Sequence, residues 1–175
     1  MTRLNALFRG AAFAAAGLVG YAAPVHADDA TAVRDKAAIE ALEARFAAAF
    51  NARDVNAIMR VYEPGPGLFV FDVTPPRQHV GWADYKADWQ GFFKATPGRI
   101  HFSISDLSVT VVGPVAYGHS IQEVRFTRAN GSKGDLIVRV TDVYRKIHGR
   151  WLIVQEHVSV PVDLDSGKAD LLSKP

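Results

Sequence analysis

From Arg99 onward the chain is written almost entirely in period two. Apolar and polar residues alternate over about 99–112, 115–129, 135–147 and 150–160, and the breaks fall at Gly113-Pro114, Asn130-Gly131 and His148-Gly149. Tight turns between long alternating runs predict a four-strand antiparallel meander, because each turn returns the chain beside the strand it has just left. The last strand is the most informative. Alternation puts Trp151, Ile153, Gln155, His157 and Ser159 on one face, and Leu152, Val154, Glu156, Val158 and Val160 on the other. Both faces are largely apolar, so both are expected to be covered. Each also carries a polar group, which inside a sheet requires a partner or a cavity. A pocket is the expected result.

Before Arg99 the period is helical. Ile39, Leu42, Phe46, Ala49 and Phe50 recur along one stripe after Thr31, a suitable N-cap. Asn51-Ala52-Arg53-Asp54 interrupts that helix, and Asp54 can cap a second one carrying Ile58, Val61 and Tyr62. Pro64-Gly65-Pro66-Gly67 stops it. A short strand is predicted over 68–73, then a loop at Pro75-Pro76. A third helix follows Gly81 with Tyr85, Trp89, Phe92 and Phe93 as an aromatic stripe. Three helices followed by a meander predict an α+β fold, its helices packed on one face of the sheet.

The start of the chain reads as an address. Arg3 and Arg9 precede an apolar stretch from Ala11 to Ala23, and Val25-His26-Ala27 suits a signal peptidase. Residues 1–27 are therefore expected to form a Sec-type secretory signal cleaved after Ala27, delivering the protein to the periplasm or outside the cell. The stretch is shorter than the roughly 20 residues of a membrane span, so no stable membrane anchor is expected after cleavage. The whole chain has 20 Lys+Arg against 18 Asp+Glu, and the leader holds two of the arginines and no acid, leaving 18 against 18. That balance, with no run of basic and aromatic residues, argues against nucleic acid as a partner. Residues 28–162 then make one domain with a sizeable core, and 163–175 a polar tail. There is no cysteine, so neither disulfides nor thiol chemistry contribute.

Three segments resemble a known family in their order and spacing: ALEARFAAAFNARDVNAI (Ala41 to Ile58), FVFD to Gly81 (Phe69 to Gly81), and TDVYRKIHGRWLIVQEHVS (Thr141 to Ser159). Together they resemble the SnoaL-like members of the nuclear transport factor 2-like superfamily over nearly all of 31–162. The resemblance implies a cone-shaped curved antiparallel sheet packed against three N-terminal helices. It also implies a ligand cavity at the wide end and a homodimer formed through the sheet face.

Within that superfamily the chain is also similar to the ketosteroid isomerases, which pair a carboxylate base with a tyrosine and a protonated aspartic acid that stabilise an enolate oxygen. The resemblance places Asp72 at the base position and Asp142 at the oxyanion acid. The position of the oxyanion tyrosine holds Phe46, and that of a second tyrosine holds Trp89, so part of the preorganised stabilisation is missing. Asp72 can equally cap the Thr74-Pro75-Pro76 turn, and Asp142 can pair across strands with Arg125 or Arg139. Tyr144, on the face of Asp142, could supply the hydroxyl Phe46 lacks.

His157 is the third candidate catalytic residue, as base or ligand-orienting group, with Ser159 beside it. Phe46, Tyr62, Trp89, Phe93, His101, Tyr144 and Ser159 are expected to line the pocket. His101, His119 and His157 follow no metal-binding spacing, and neither a metal nor another cofactor is expected. No phosphate loop, nucleophile elbow or Ser-x-x-Lys signature occurs. Two readings follow: an exported module binding a small apolar molecule, or an isomerase, dehydratase or cyclase abstracting a proton with a carboxylate or histidine. A protein-assembly domain is a third.

Overall fold

The computed structural model describes residues 27–173, with side chains described from residue 30. The segment 1–27, expected to be a secretory leader, therefore lies outside the described residues apart from Ala27, where the first helix starts. That helix, α1 (Ala27–Ala52), begins before Thr31 and carries Thr31 in its first turns. Helix α2 (Val55–Met59) is capped as expected, with the Asp54 side chain accepting from the Ala57 N–H at 2.9 Å. Strand β1 (Phe69–Phe71), a two-residue strand β2 (His79–Val80) and helix α3 (Trp82–Ala95) follow. The meander comprises β3 (Ile100–Val112), β4 (Val115–Thr127), β5 (Lys133–Ile147) and β6 (Arg150–Ser159).

The six strands form one curved, unclosed sheet in the order β2-β1-β6-β5-β4-β3. The meander is antiparallel throughout, whereas β1 joins β6 in parallel, pairing Val70 with Glu156. The sheet is thus mixed at one edge. The β5–β6 turn has positive φ at both His148 (48°) and Gly149 (77°), the backbone twist that suits a two-residue hairpin.

Packing follows from the two periods. Along α1, Ile39, Leu42, Phe46, Ala49 and Phe50 are buried, as their spacing predicts, and with α3 they cover the concave face of the sheet. Aromatic rings dominate the junction: Phe50 stacks on Phe102 with centroids 4.2 Å apart and meets Trp89, Phe92 and Phe93 edge-on. On β5 the alternation holds, and Val138, Val140, Asp142 and Tyr144 all face inward. Gly118, paired with Asp142, keeps β4 open beneath the tyrosine, since a Cβ there would lie 3.3 Å from the Tyr144 ring.

On β6 the alternation breaks. Tyr144 pairs with Ile153 and Val143 with Gln155, leaving Val154 as an extra residue in a β-bulge. Beyond it the phase is reversed. Ile153 and Glu156 both point inward, at 1 % and 4 % exposure, while His157 is exposed. A one-residue shift exchanges the two faces of a strand, so Glu156 occupies the place expected for His157.

Candidate functional site

Two acids reach the interior from the sheet and one from α1. Glu43 lies on the buried stripe of α1 between Ile39 and Phe46; Asp142 and Glu156 are direct partners across the β5–β6 ladder. All three are buried, at 2 %, 2 % and 4 % exposure. Three tyrosine hydroxyls serve them. Tyr62 donates to Glu156 Oε2 at 2.8 Å and Tyr85 to Oε1 at 2.7 Å. Tyr144 lies 2.8 Å from Glu43 Oε1 and 3.4 Å from Asp142 Oδ2. Among the described residues no cation pairs with any of the three acids, and Asp142 Oδ1 has no hydrogen-bond partner.

Burial without a counter-charge favours the protonated acid. It pushes Glu43 up to about 7, against the opposing hydrogen bond from Tyr144. Glu156 is likewise pushed up to about 7 by burial, with Tyr85 and Tyr62 pulling the other way. Asp142 stands well above the usual carboxylate range, raised by burial first and then by the charges of Glu156 and Glu43. Asp142 is therefore a neutral acid, and Glu156 is poised to gain or lose a proton near neutrality.

Glu156 also borders a recess that opens to solvent. A cavity of about 280 Å³ lies between α1, α3 and the sheet, walled by Phe46, Phe50, Trp89, Phe102 and Val138, among others. Its polar lining comes from Asp72, Asp88, Gln122 and Glu156, together with Tyr85 and Thr74. The volume lies just below the usual range of small-molecule pockets, roughly 300–1,000 Å³, and an apolar wall with few convergent polar groups is their usual composition.

Of the three proposed catalytic residues, only Asp72 lines this cavity. Asp72 also has the turn role: its Oδ1 accepts from the Val73 and Thr74 N–H groups. Burial raises its carboxyl, with the neighbouring charge of Asp88 adding to the effect. Asp142 pairs with neither Arg139 nor Arg125, because Arg139 faces the opposite side of β5 and Arg125 pairs with Glu123. It lies outside the cavity wall, in the ladder position opposite Glu156.

His157 is turned outward by the bulge, with its ring against Phe71 at 5.4 Å. Of the expected lining, Phe46 and Trp89 are in place. Tyr62 and Phe93 are buried in the adjoining core, and Tyr144 in the acid network, without lining the cavity. His101 is exposed and Ser159 half-buried on the far side of the sheet, so neither lines it.

Sequence reasoning missed Glu43, His79, Asp88 and the role of Glu156. Glu43 carried a usable signal, since an acid four residues after Ile39 and three before Phe46 must share their buried stripe. His79 had none, because β2 is too short to show a period.

Comparison with known proteins agrees with this architecture. Residues 39–163 match the SnoaL-like domain. Comparison with curated proteins yields no significant match. Among solved structures, an NTF2-like protein of unknown function from Pseudomonas putida KT2440 is similar at 26% identity, with a TM-score of 0.73 over 82% of this chain and 98% of that one. A provisionally named scytalone dehydratase from Novosphingobium aromaticivorans shares 15% identity and a TM-score of 0.68, over 76% of this chain and 88% of its own. A provisionally named aromatic ring hydroxylase from the same organism shares 17% identity and a TM-score of 0.66, over 78% and 98%. At those last two identities the likeness is one of fold.

Proposed function

The chain belongs to the SnoaL-like domain family, within the nuclear transport factor 2-like superfamily, and from that premise we propose that it binds a small, largely apolar molecule and moves a proton on it with Glu156. One observation carries the reading: a buried acid with no counter-charge among the described residues, held by two tyrosine hydroxyls and pushed by burial up to about 7, stands at the wall of an aromatic cavity. A base is most effective when its pKa lies near the working pH, and the two tyrosine hydroxyls hold this carboxylate in one orientation. In an isomerisation Glu156 takes a proton from a carbon beside a carbonyl and returns it to another carbon of the same molecule. In a dehydration it takes a proton from the carbon next to one bearing a hydroxyl and delivers it to that hydroxyl, which leaves as water as the double bond forms. One of the structures of similar fold is named for an aromatic ring, a ligand class that an aromatic-walled cavity would also suit.

Solvent-deuterium exchange into a panel of lipophilic cyclic ketones, followed by NMR, tests the proposal. At least one ketone should exchange faster with the protein than without it, and Glu156→Gln should lower that rate about 100-fold. The variant should still bind the same ketone in a thermal-shift assay. Exchange that survives the substitution would remove Glu156 from the role. Binding without exchange would leave a carrier rather than an enzyme.

A second proposal concerns assembly. Val112, Val115 and Tyr117 are exposed at 63 %, 40 % and 53 % on and around the β3–β4 turn, on the sheet side turned away from the helices. This apolar surface supports pairing of two copies through the sheet. Light scattering should give a dimer mass that Tyr117→Glu shifts toward the monomer; a monomer in both cases would refute the pairing.

A further inference from the structure

Three side chains that no linear motif connects meet beside the cavity, two of them on its wall. Asp72 follows β1, His79 opens β2, and Asp88 lies on α3. One ligand-capable atom from each lies within 4.8 Å of the other two. His79 is 3 % exposed, and its Nε2 has no hydrogen-bond partner among the described residues. That atom is 3.7 Å from Asp88 Oδ1. On the other side of the ring, Nδ1 faces Asp84 Oδ2 at 3.3 Å, and the same oxygen accepts from the Val80 N–H at 3.1 Å. Asp84 therefore draws the Nδ1 proton toward itself and leaves Nε2 aimed at two carboxylates.

A buried ring nitrogen without a partner is an unfavourable arrangement unless something satisfies it. Facing two carboxylates, a bound cation would satisfy the nitrogen and both acids at once. Orientation of the imidazole by a carboxylate on its far nitrogen is also how metal-binding histidines are held. Ligands about 2.1 Å from one ion stand roughly 3–4 Å apart, so only a small closure separates this cluster from coordination.

We propose that Asp72, His79 and Asp88 bind one divalent transition-metal ion, with Asp84 orienting His79. One nitrogen and two oxygen donors suit Zn²⁺, Mn²⁺ or Fe²⁺. Because Asp72 and Asp88 line the cavity, a coordination position not filled by protein opens onto the ligand space. The site depends on no assumption about Glu156.

The untagged chain, stripped with a chelator and titrated calorimetrically with Zn²⁺ and then Mn²⁺, tests the proposal. At least one of the two should bind at one equivalent per chain with a dissociation constant in the micromolar range or below, and raise the melting temperature. Asp88→Asn, at a half-buried position where the fold should survive, should weaken binding at least tenfold. Asp84→Asn should weaken it by about tenfold through loss of the orienting carboxylate. Nitrogen-15 spectra of the metal-loaded protein should show His79 Nε2 without a proton. Non-saturable binding, binding unchanged in Asp88→Asn, or an Nε2–H bonded to Asp88 that persists after addition of both metals would each overturn the site.

Discussion

Urea unfolding followed across pH should show the protein most stable in mild acid and losing several kcal/mol by pH 7.5. The sign follows from the buried acids. Glu43 and Glu156 rise from 4.5 to about 7 on folding, so the folded state holds protons that the unfolded chain has released. Their contribution is complete below pH 4.5, falls as pH rises through the folded pKa, and levels off above about 7. Each shift corresponds to about 3 kcal/mol. Asp142, raised well above its usual range, extends the fall to higher pH.

Glu43→Gln isolates the share of one acid, since the amide keeps an oxygen for the Tyr144 hydroxyl while carrying no charge. The variant should match the parent at pH 4.5 and exceed it by about 3 kcal/mol at pH 8. A parent whose stability is flat or rising between pH 4.5 and 7.5 would show that the network has a counter-charge or is open to water.

Phe50→Ala should destabilise the fold by about 4 kcal/mol, within the range for truncating a buried phenylalanine. The ring is 5 % exposed, stacks on Phe102 and contacts four other aromatic rings, so its removal leaves atoms on several sides without partners. A typical domain stability of 5–15 kcal/mol tolerates that loss. Because Phe50 also walls the cavity, the variant should accept bulkier cyclic ligands in a thermal-shift screen. A loss below about 1.5 kcal/mol would mean that the surrounding rings collapse into the gap. Urea midpoints at pH 5, where the acid network is largely protonated, give the cleanest reading.

The fold was largely legible because its period changes so abruptly. Each strand of the meander lies within a few residues of its expected bounds, and Gly113, Gly131 and Gly149 all adopt the positive φ of turns. The site was legible only in part. Asp72 could be placed because a family pattern fixes its distance from Gly81, and Asp142 because β5 alternates without interruption. His157 was misplaced because strand alternation assumes a regular ladder, and an extra residue in one strand leaves no compositional mark. Val154 is as ordinary a strand residue as Val158. The Asp72–His79–Asp88 cluster escaped notice for a different reason: its members come from three elements whose proximity exists only after folding.

The bulge at Val154 has a consequence for comparing this chain with its relatives. Upstream of it, matching residues column by column also matches inward side chains with inward ones. Downstream, a relative with a regular β6 would bring an outward residue into the column of Glu156, and its own interior group would be aligned with His157 or Gln155. A single alignment gap opposite Val154 restores the correspondence. Two members could therefore carry the same acid at the same point in space and still look unconserved on paper.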